Sequence, residues 1–131
     1  CFSGFPFVIF RSPSSALQAM TPGNTSLCCR GFRRLIVCSR TREYRQVAIH
    51  SELPKGLILE VGCHHGITTA TLSHRVGSEL VQGVDRSAAA VQTAQGRFPG
   101  LRFSVLDACA PGALLSLPPF SACFLDLGGD A

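Results

Sequence analysis

The sequence predicts an α/β domain built on a parallel sheet. Three observations carry that expectation. From residue 57 onward, short apolar runs alternate with helix-compatible stretches. Each of the four runs ends in a carboxylate, at Glu60, Asp85, Asp107 and Asp126. The first run is followed at once by two glycines four residues apart, Gly62 and Gly66. Alternation at this spacing implies right-handed crossovers between parallel strands, and such sheets bind ligands off the carboxyl ends of their strands.

The elements follow in order. Tyr44, Val47 and Ala48 lie at helical spacing between Thr41 and Glu52, and Pro54 ends that helix. Leu57 to Val61 is apolar on both faces, as a buried parallel strand is. Ile67 to Val76 is a helix closed by Gly77. Its threonines are poor helix formers, so packing must hold it. Leu80 to Asp85 is the second strand. Ser87 caps a helix over Ala88 to Arg97 that sets Val91, Ala94 and Phe98 on one face, and Pro99-Gly100 breaks it. Leu101 to Leu106 is the third strand, with Phe103 and Val105 alternating. Ala110 to Leu117 is expected as a short helix, Pro118-Pro119 as a turn, and Ser121 to Leu125 as the fourth strand, running into Asp126 and Gly128-Gly129.

Composition divides the chain in two. Residues 1–45 hold seven arginines and one acid, Glu43, and are rich in Ser, Pro and Phe. Residues 46–131 hold five basic and seven acidic groups, so the net charge of +4 belongs to the leader. That leader resembles a plastid (chloroplast) or mitochondrial transit peptide in composition, with a plausible cleavage point near Ile36 to Ser39; without a signal the chain would be cytoplasmic. A basic tail is the plainer alternative. The near-neutral remainder does not support a nucleic-acid footprint. With 46% apolar and 15% charged residues, the 131-residue chain is suited to one buried core. No apolar stretch approaches the roughly 20 residues that cross a bilayer, and Phe5 to Phe10 is too short. The seven cysteines form no CxxC pair, which argues against zinc and for a reducing compartment. Cys63, Cys109 and Cys123 sit in or beside strands, where a free thiol behaves as a small apolar group.

A strand, a tight glycine turn, a helix and a second strand ending in Asp85 form a frame that holds an adenosine-containing cofactor. A nicotinamide or flavin fingerprint would read GxGxxG; counted from Gly62, its later glycines fall on His64 and Ile67, so it fails. The pattern that holds is Glu60-Val61-Gly62-Cys63-His64-His65-Gly66. Here the chain resembles the class I S-adenosylmethionine-dependent methyltransferases, whose first motif reads E/D-x-G-x-G-x-G. The resemblance continues through Gly83-Val84-Asp85-Arg86-Ser87, Val105-Leu106-Asp107-Ala108 and Phe124-Leu125-Asp126-Leu127, and covers about residues 55 to 130.

That resemblance implies a Rossmann-like fold with S-adenosyl-L-methionine as cofactor. It implies cofactor contacts at Glu60, Gly62, Cys63, Gly66, Asp85, Arg86, Asp107, Ala108 and Asp126. Glu60 would orient the loop or the methionine ammonium. Asp85 would accept from the ribose hydroxyls. Asp107 and the Ala108 N–H would meet the adenine. A sulfonium and an ammonium without phosphate suit a site lined with carboxylates. No catalytic residue, metal or methyl acceptor is assigned.

Two departures stand out. His64 replaces the family's middle glycine; loop histidines commonly face solvent, and an imidazole beside the ligand is the sharper reading. The family's sheet has seven strands and the resemblance ends after the fourth, so the expectation is a fragment carrying the cofactor half, with the fourth strand left as a bare edge. Asp126 is then either a catalytic or metal-binding acid, or a cap on the turn that follows. Two rivals remain: a nucleotide-binding domain using NAD, and a non-catalytic S-adenosylmethionine sensor or scaffold.

Overall fold

The computed structural model describes residues 7–11, 32–38 and 40–127. Its elements are β1 (Phe7–Arg11), β2 (Phe32–Val37), α1 (Thr41–His50), β3 (Ile58–Val61), α2 (Ile67–Val76), β4 (Val81–Asp85), α3 (Ala88–Arg97), β5 (Arg102–Val105) and β6 (Ala122–Leu125). All four residues of β3 are buried, three of them apolar and the fourth Glu60, as befits a central strand covered on both faces. It pairs in parallel with β4 on one side and β6 on the other, and β4 pairs in parallel with β5. These four strands with their helices are an incomplete Rossmann-like α/β sheet.

Side-chain alternation splits the core between the two faces. Ile58, Val81, Ala122 and Phe124 pack against Tyr44 and Ala48 of α1 and Leu72 of α2. Leu59, Val61, Val84 and Cys123 point the other way, under Leu114, Leu117 and Phe120. Val91 and Ala94 of α3 close on Phe103 and Cys63. Tyr44 meets the Phe124 ring edge-on at 5.8 Å between centroids. Arg75 of α2 donates to the carbonyls of Ala48 and Ser51, both at 2.7 Å, and so satisfies backbone acceptors at the end of α1.

Helices α2 and α3 have the bounds that their sequence signals predict. Gly66, in the left-handed region, opens α2 and Gly77 closes it. The Ser87 hydroxyl accepts from the Ala90 N–H at 3.2 Å and caps α3. Leu80 differs: it belongs to a 3-10 turn, Ser78–Leu80, that leads into β4. The expected helix at Ala110 to Leu117 is a four-residue 3-10 turn, Ala113–Ser116. Pro111 and left-handed Gly112 precede it and Pro118 follows, which leaves no room for an α-helical nucleus.

The expected bare edge on the fourth strand is not there. Within the segment read as a leader, β1 runs antiparallel to β6, with Phe7 opposite Leu125 and Phe10 opposite Ala122. β2 then pairs antiparallel with β1 and completes a six-stranded sheet of order β2-β1-β6-β3-β4-β5. Backbone groups of β6 that would otherwise be unpaired are met by an upstream segment of the same chain. The Gly128-Gly129 turn lies outside the described residues, as do Ser39 and residues 12–31.

Candidate functional site

The carboxyl ends of β3, β4, β5 and β6 carry almost every residue that the sequence singled out. The loop after β3 is docked on the end of β4: the N–H groups of Gly62 and Cys63 both donate to the Val84 carbonyl, at 2.8 and 3.1 Å. It then closes on itself through the Gly66 N–H to the Cys63 carbonyl at 2.8 Å. His64 sits at the tip with φ 47°, among the described residues the single non-glycine at positive φ. Its N–H donates to Asp85 Oδ2 at 2.8 Å, and its ring stacks on His65 at 3.7 Å between centroids. His64 is exposed, which agrees with the solvent-facing reading.

Both loop glycines are demanded by neighbouring chain. A Cβ on Gly62 would stand 2.8 Å from the Asp126 carbonyl carbon and closer still to its oxygen. A Cβ on Gly66 would stand 2.7 Å from the Phe103 ring and 3.2 Å from Ala94 Cβ. Asp126 is pinned there by its own N–H, which donates to the Val61 carbonyl at 2.9 Å. Three strands thus meet at the loop: the ends of β3 and β6 at Gly62, and β5 through the Phe103 side chain at Gly66.

Asp85 is half-buried at the end of β4, with Oδ2 on the His64 N–H and Oδ1 on the Ser87 N–H at 2.9 Å. Each oxygen accepts one bond, so each retains acceptor capacity for a ligand hydroxyl. Arg86 is exposed in the turn beside it. Asp107 is exposed past β5 and accepts the Cys109 N–H on Oδ1 at 2.9 Å; Ala108 is half-buried against the cluster under the sheet. Cys63 is buried, and burial pushes its thiol well above the ordinary range, so it packs as an apolar group. Burial likewise pushes Cys123 up to about 12.

Glu60 is not in the crevice with the other acids. It is 2% exposed, on the face of β3 that looks toward α1 and α2. Tyr44 Oη donates to its Oε1 at 3.2 Å, and Thr69 Oγ1 donates to its Oε2. Burial pushes the Glu60 carboxyl up to about 7; the hydroxyls of Thr69, Tyr44 and Thr68 pull it down, and Asp126 pushes it further up. Burial first, and then the Glu60 charge, push the Tyr44 phenol well above its ordinary range, so it stays a donor. Sequence reasoning missed Tyr44 and Thr69 as partners of this acid. The signal was the pair Thr68-Thr69 in the first turn of a helix they disfavour, where buried hydroxyls need a polar partner.

Among the described residues, no group of three or more His, Cys, Asp or Glu side chains is arranged to hold a metal ion. No helix among them is long and apolar enough to cross a membrane.

A family model described as a methyltransferase domain matches residues 58–125. No curated protein matches the chain. Solved structures do. A TehB-like SAM-dependent methyltransferase from Corynebacterium glutamicum is 28% identical over 49% of this chain and 34% of that one, with a TM-score of 0.38. The Trypanosoma brucei PRMT1 enzyme-prozyme heterotetrameric complex with AdoHcy is 26% identical over 60% of this chain and 24% of that one, with a TM-score of 0.42. The MccD protein is 21% identical over 51% and 32%, with a TM-score of 0.41. The chain therefore spans between a quarter and a third of the length of these structures.

Proposed function

The chain belongs to the methyltransferase domain family, and we propose that its strand-end crevice binds S-adenosyl-L-methionine as methyl donor for an acceptor that other parts of the site select. One observation carries this reading. The Asp85 carboxylate is fixed at the end of β4 by two backbone N–H groups, of His64 and Ser87, and each oxygen keeps acceptor capacity. That arrangement suits the two hydroxyls of a ribose.

The remaining residues take roles that fit the same ligand. The Gly62–Gly66 loop offers a backbone surface for the methionine part, with Cys63 buried behind it. Asp107 and the Ala108 N–H would meet the adenine, and Arg86 would flank the ribose. Asp126, at the end of β6 against Gly62, adds negative charge near the sulfonium. Glu60 acts from below by holding the loop. The bound donor supplies an electrophilic methyl group; the chain contributes placement, which for such a transfer is most of the catalysis. A pyrophosphate ligand fits poorly, because the described strand ends present carboxylates and the loop carries no Lys or Arg.

Ultraviolet crosslinking of methyl-labelled S-adenosylmethionine to the full chain tests the reading. Labelling is expected, and excess S-adenosylhomocysteine should remove it while NAD should not. Equal competition by NAD would assign the crevice to a different adenosine cofactor, and an absence of labelling would refute a donor site.

A further inference from the structure

Glu60 has an unusual position for an acid so close to a cofactor loop. The loop that begins at Gly62 leaves β3 just after Glu60 and returns in the first turn of α2, where Thr69 donates to Glu60 Oε2. The carboxyl thus clasps the two ends of the loop from beneath. Its other oxygen is taken by Tyr44 Oη at 3.2 Å, from α1, an element outside the strand–loop–helix unit. The groups facing the carboxyl are Tyr44 from α1, Thr68 and Thr69 from α2, and Asp126 beyond β6; the thiols of Cys63 and Cys123 also feel its charge. No cation is among them. The surrounding residues are apolar, so every hydroxyl donor to the ionised form matters.

We propose that Tyr44 is a positioning residue for the cofactor site: its hydroxyl on Glu60 ties α1 to the glycine loop, so that the seating of α1 sets the geometry of the Gly62–Gly66 backbone. The proposal rests on the reading of this crevice as an S-adenosylmethionine site. It makes donor affinity depend on an element to which the proposed site assigns no ligand contact. It also ties that affinity to the protonation of an almost fully buried carboxyl. The ionised carboxylate accepts charge-assisted bonds from Tyr44 and Thr69 together, whereas the protonated one donates at one oxygen to a hydroxyl that turns to accept, so one bond reverses and the charge assistance is lost. Loop order, and with it affinity for a cationic ligand, therefore increases as Glu60 ionises.

Two variants of the full chain test it, each read in two ways. Tyr44→Phe keeps the ring contact with Phe124 and removes only the hydroxyl. Glu60→Gln keeps an acceptor for Tyr44 and removes the titration. Without ligand, thermal melts are taken from pH 5 to 9. The wild-type melting temperature is expected to fall through neutral pH. In Tyr44→Phe the fall should extend to higher pH, because a donor to the ionised form is gone; in Glu60→Gln it should be absent. Calorimetric titration with S-adenosylhomocysteine at pH 8 should show Tyr44→Phe binding about fivefold or more weakly, with an unchanged far-ultraviolet spectrum. If Tyr44→Phe fails to fold, the pH dependence of wild-type affinity, and its loss in Glu60→Gln, carries the test. A Tyr44→Phe profile that coincides with wild type, an unchanged dissociation constant, or the same pH slope in Glu60→Gln would each overturn the positioning role while leaving the cofactor reading intact. Failure of the wild type itself to bind would overturn both.

Discussion

Gly62→Ala and Gly112→Ala make a matched pair that separates backbone strain from collision. The two glycines have nearly the same φ, 79° and 77°. Alanine at either position carries the same left-handed cost, about 1–2 kcal/mol. Around Gly112 nothing lies within 4 Å of an added Cβ. At Gly62 the Cβ would stand 2.8 Å from the Asp126 carbonyl carbon, and the obstacle is backbone rather than a side chain that can rotate away. Making room separates the ends of β3 and β6 and breaks the 2.9 Å bond from the Asp126 N–H to the Val61 carbonyl. Groups left unsatisfied there add about 1–3 kcal/mol. Gly62→Ala should therefore cost about 2–5 kcal/mol and Gly112→Ala about 1–2 kcal/mol. At about 4 °C per kcal/mol for a domain of this size, melting temperatures should fall by about 8–20 °C and about 4–8 °C. Thermal denaturation followed by circular dichroism decides it. Equal falls for the two variants would show that the close approach at Gly62 is wrong.

Other perturbations follow from the same contacts. The Glu60 carboxyl is raised from 4.5 to about 7, so the folded chain binds more protons than the unfolded one between those values. Stability should decline as pH rises through that window and level off above it. At about 1.4 kcal/mol per unit the loss is about 3 kcal/mol, and denaturant titrations of Glu60→Gln should lack it; an equal decline in the variant would assign it to another group. His64→Gly keeps the N–H that Asp85 accepts and relieves a φ of 47°. Its stability should stay within about 1 kcal/mol of wild type, with S-adenosylhomocysteine affinity unchanged; a large loss would place the imidazole on the ligand. Deleting residues 1–38 strips β1 from β6, and size-exclusion chromatography should then show oligomers or aggregate; a monomer as stable as the full chain would mean that β1 contributes nothing to the sheet.

What could be read from the sequence was local. Gly66, Gly77 and Ser87 carry their conformational demands in their own side chains, or in the lack of one, and they set the bounds of α2 and α3. The four strand-end acids marked the edge at which the site forms because parallel strands point one way. Contacts between segments far apart in sequence were not legible. The apolar run that contains β1 was weighed only as too short for a membrane, since its partner β6 lies at the far end of the chain and no tight turn announces a hairpin with β2. Glu60 was grouped with the crevice acids because strand-end position was the only cue. Its burial depends on Tyr44, sixteen residues earlier. The loop glycines were recognised, but their protein neighbours were not: spacing shows that backbone must come close to something, and the structure adds Asp126 and Phe103, which a side chain there would meet.

Calorimetric titration of the full chain with S-adenosylhomocysteine, alongside Asp85→Ala, tests the central claim most directly. Asp85 accepts only two backbone N–H groups, and a ribose would add charge-assisted bonds worth about 1.5–3 kcal/mol each. Wild type should bind S-adenosylhomocysteine and not NAD, and Asp85→Ala should bind it at least about tenfold more weakly with its fold retained. Equal affinity in the two proteins, or preference for NAD, would contradict the assignment of this crevice to a methyl donor.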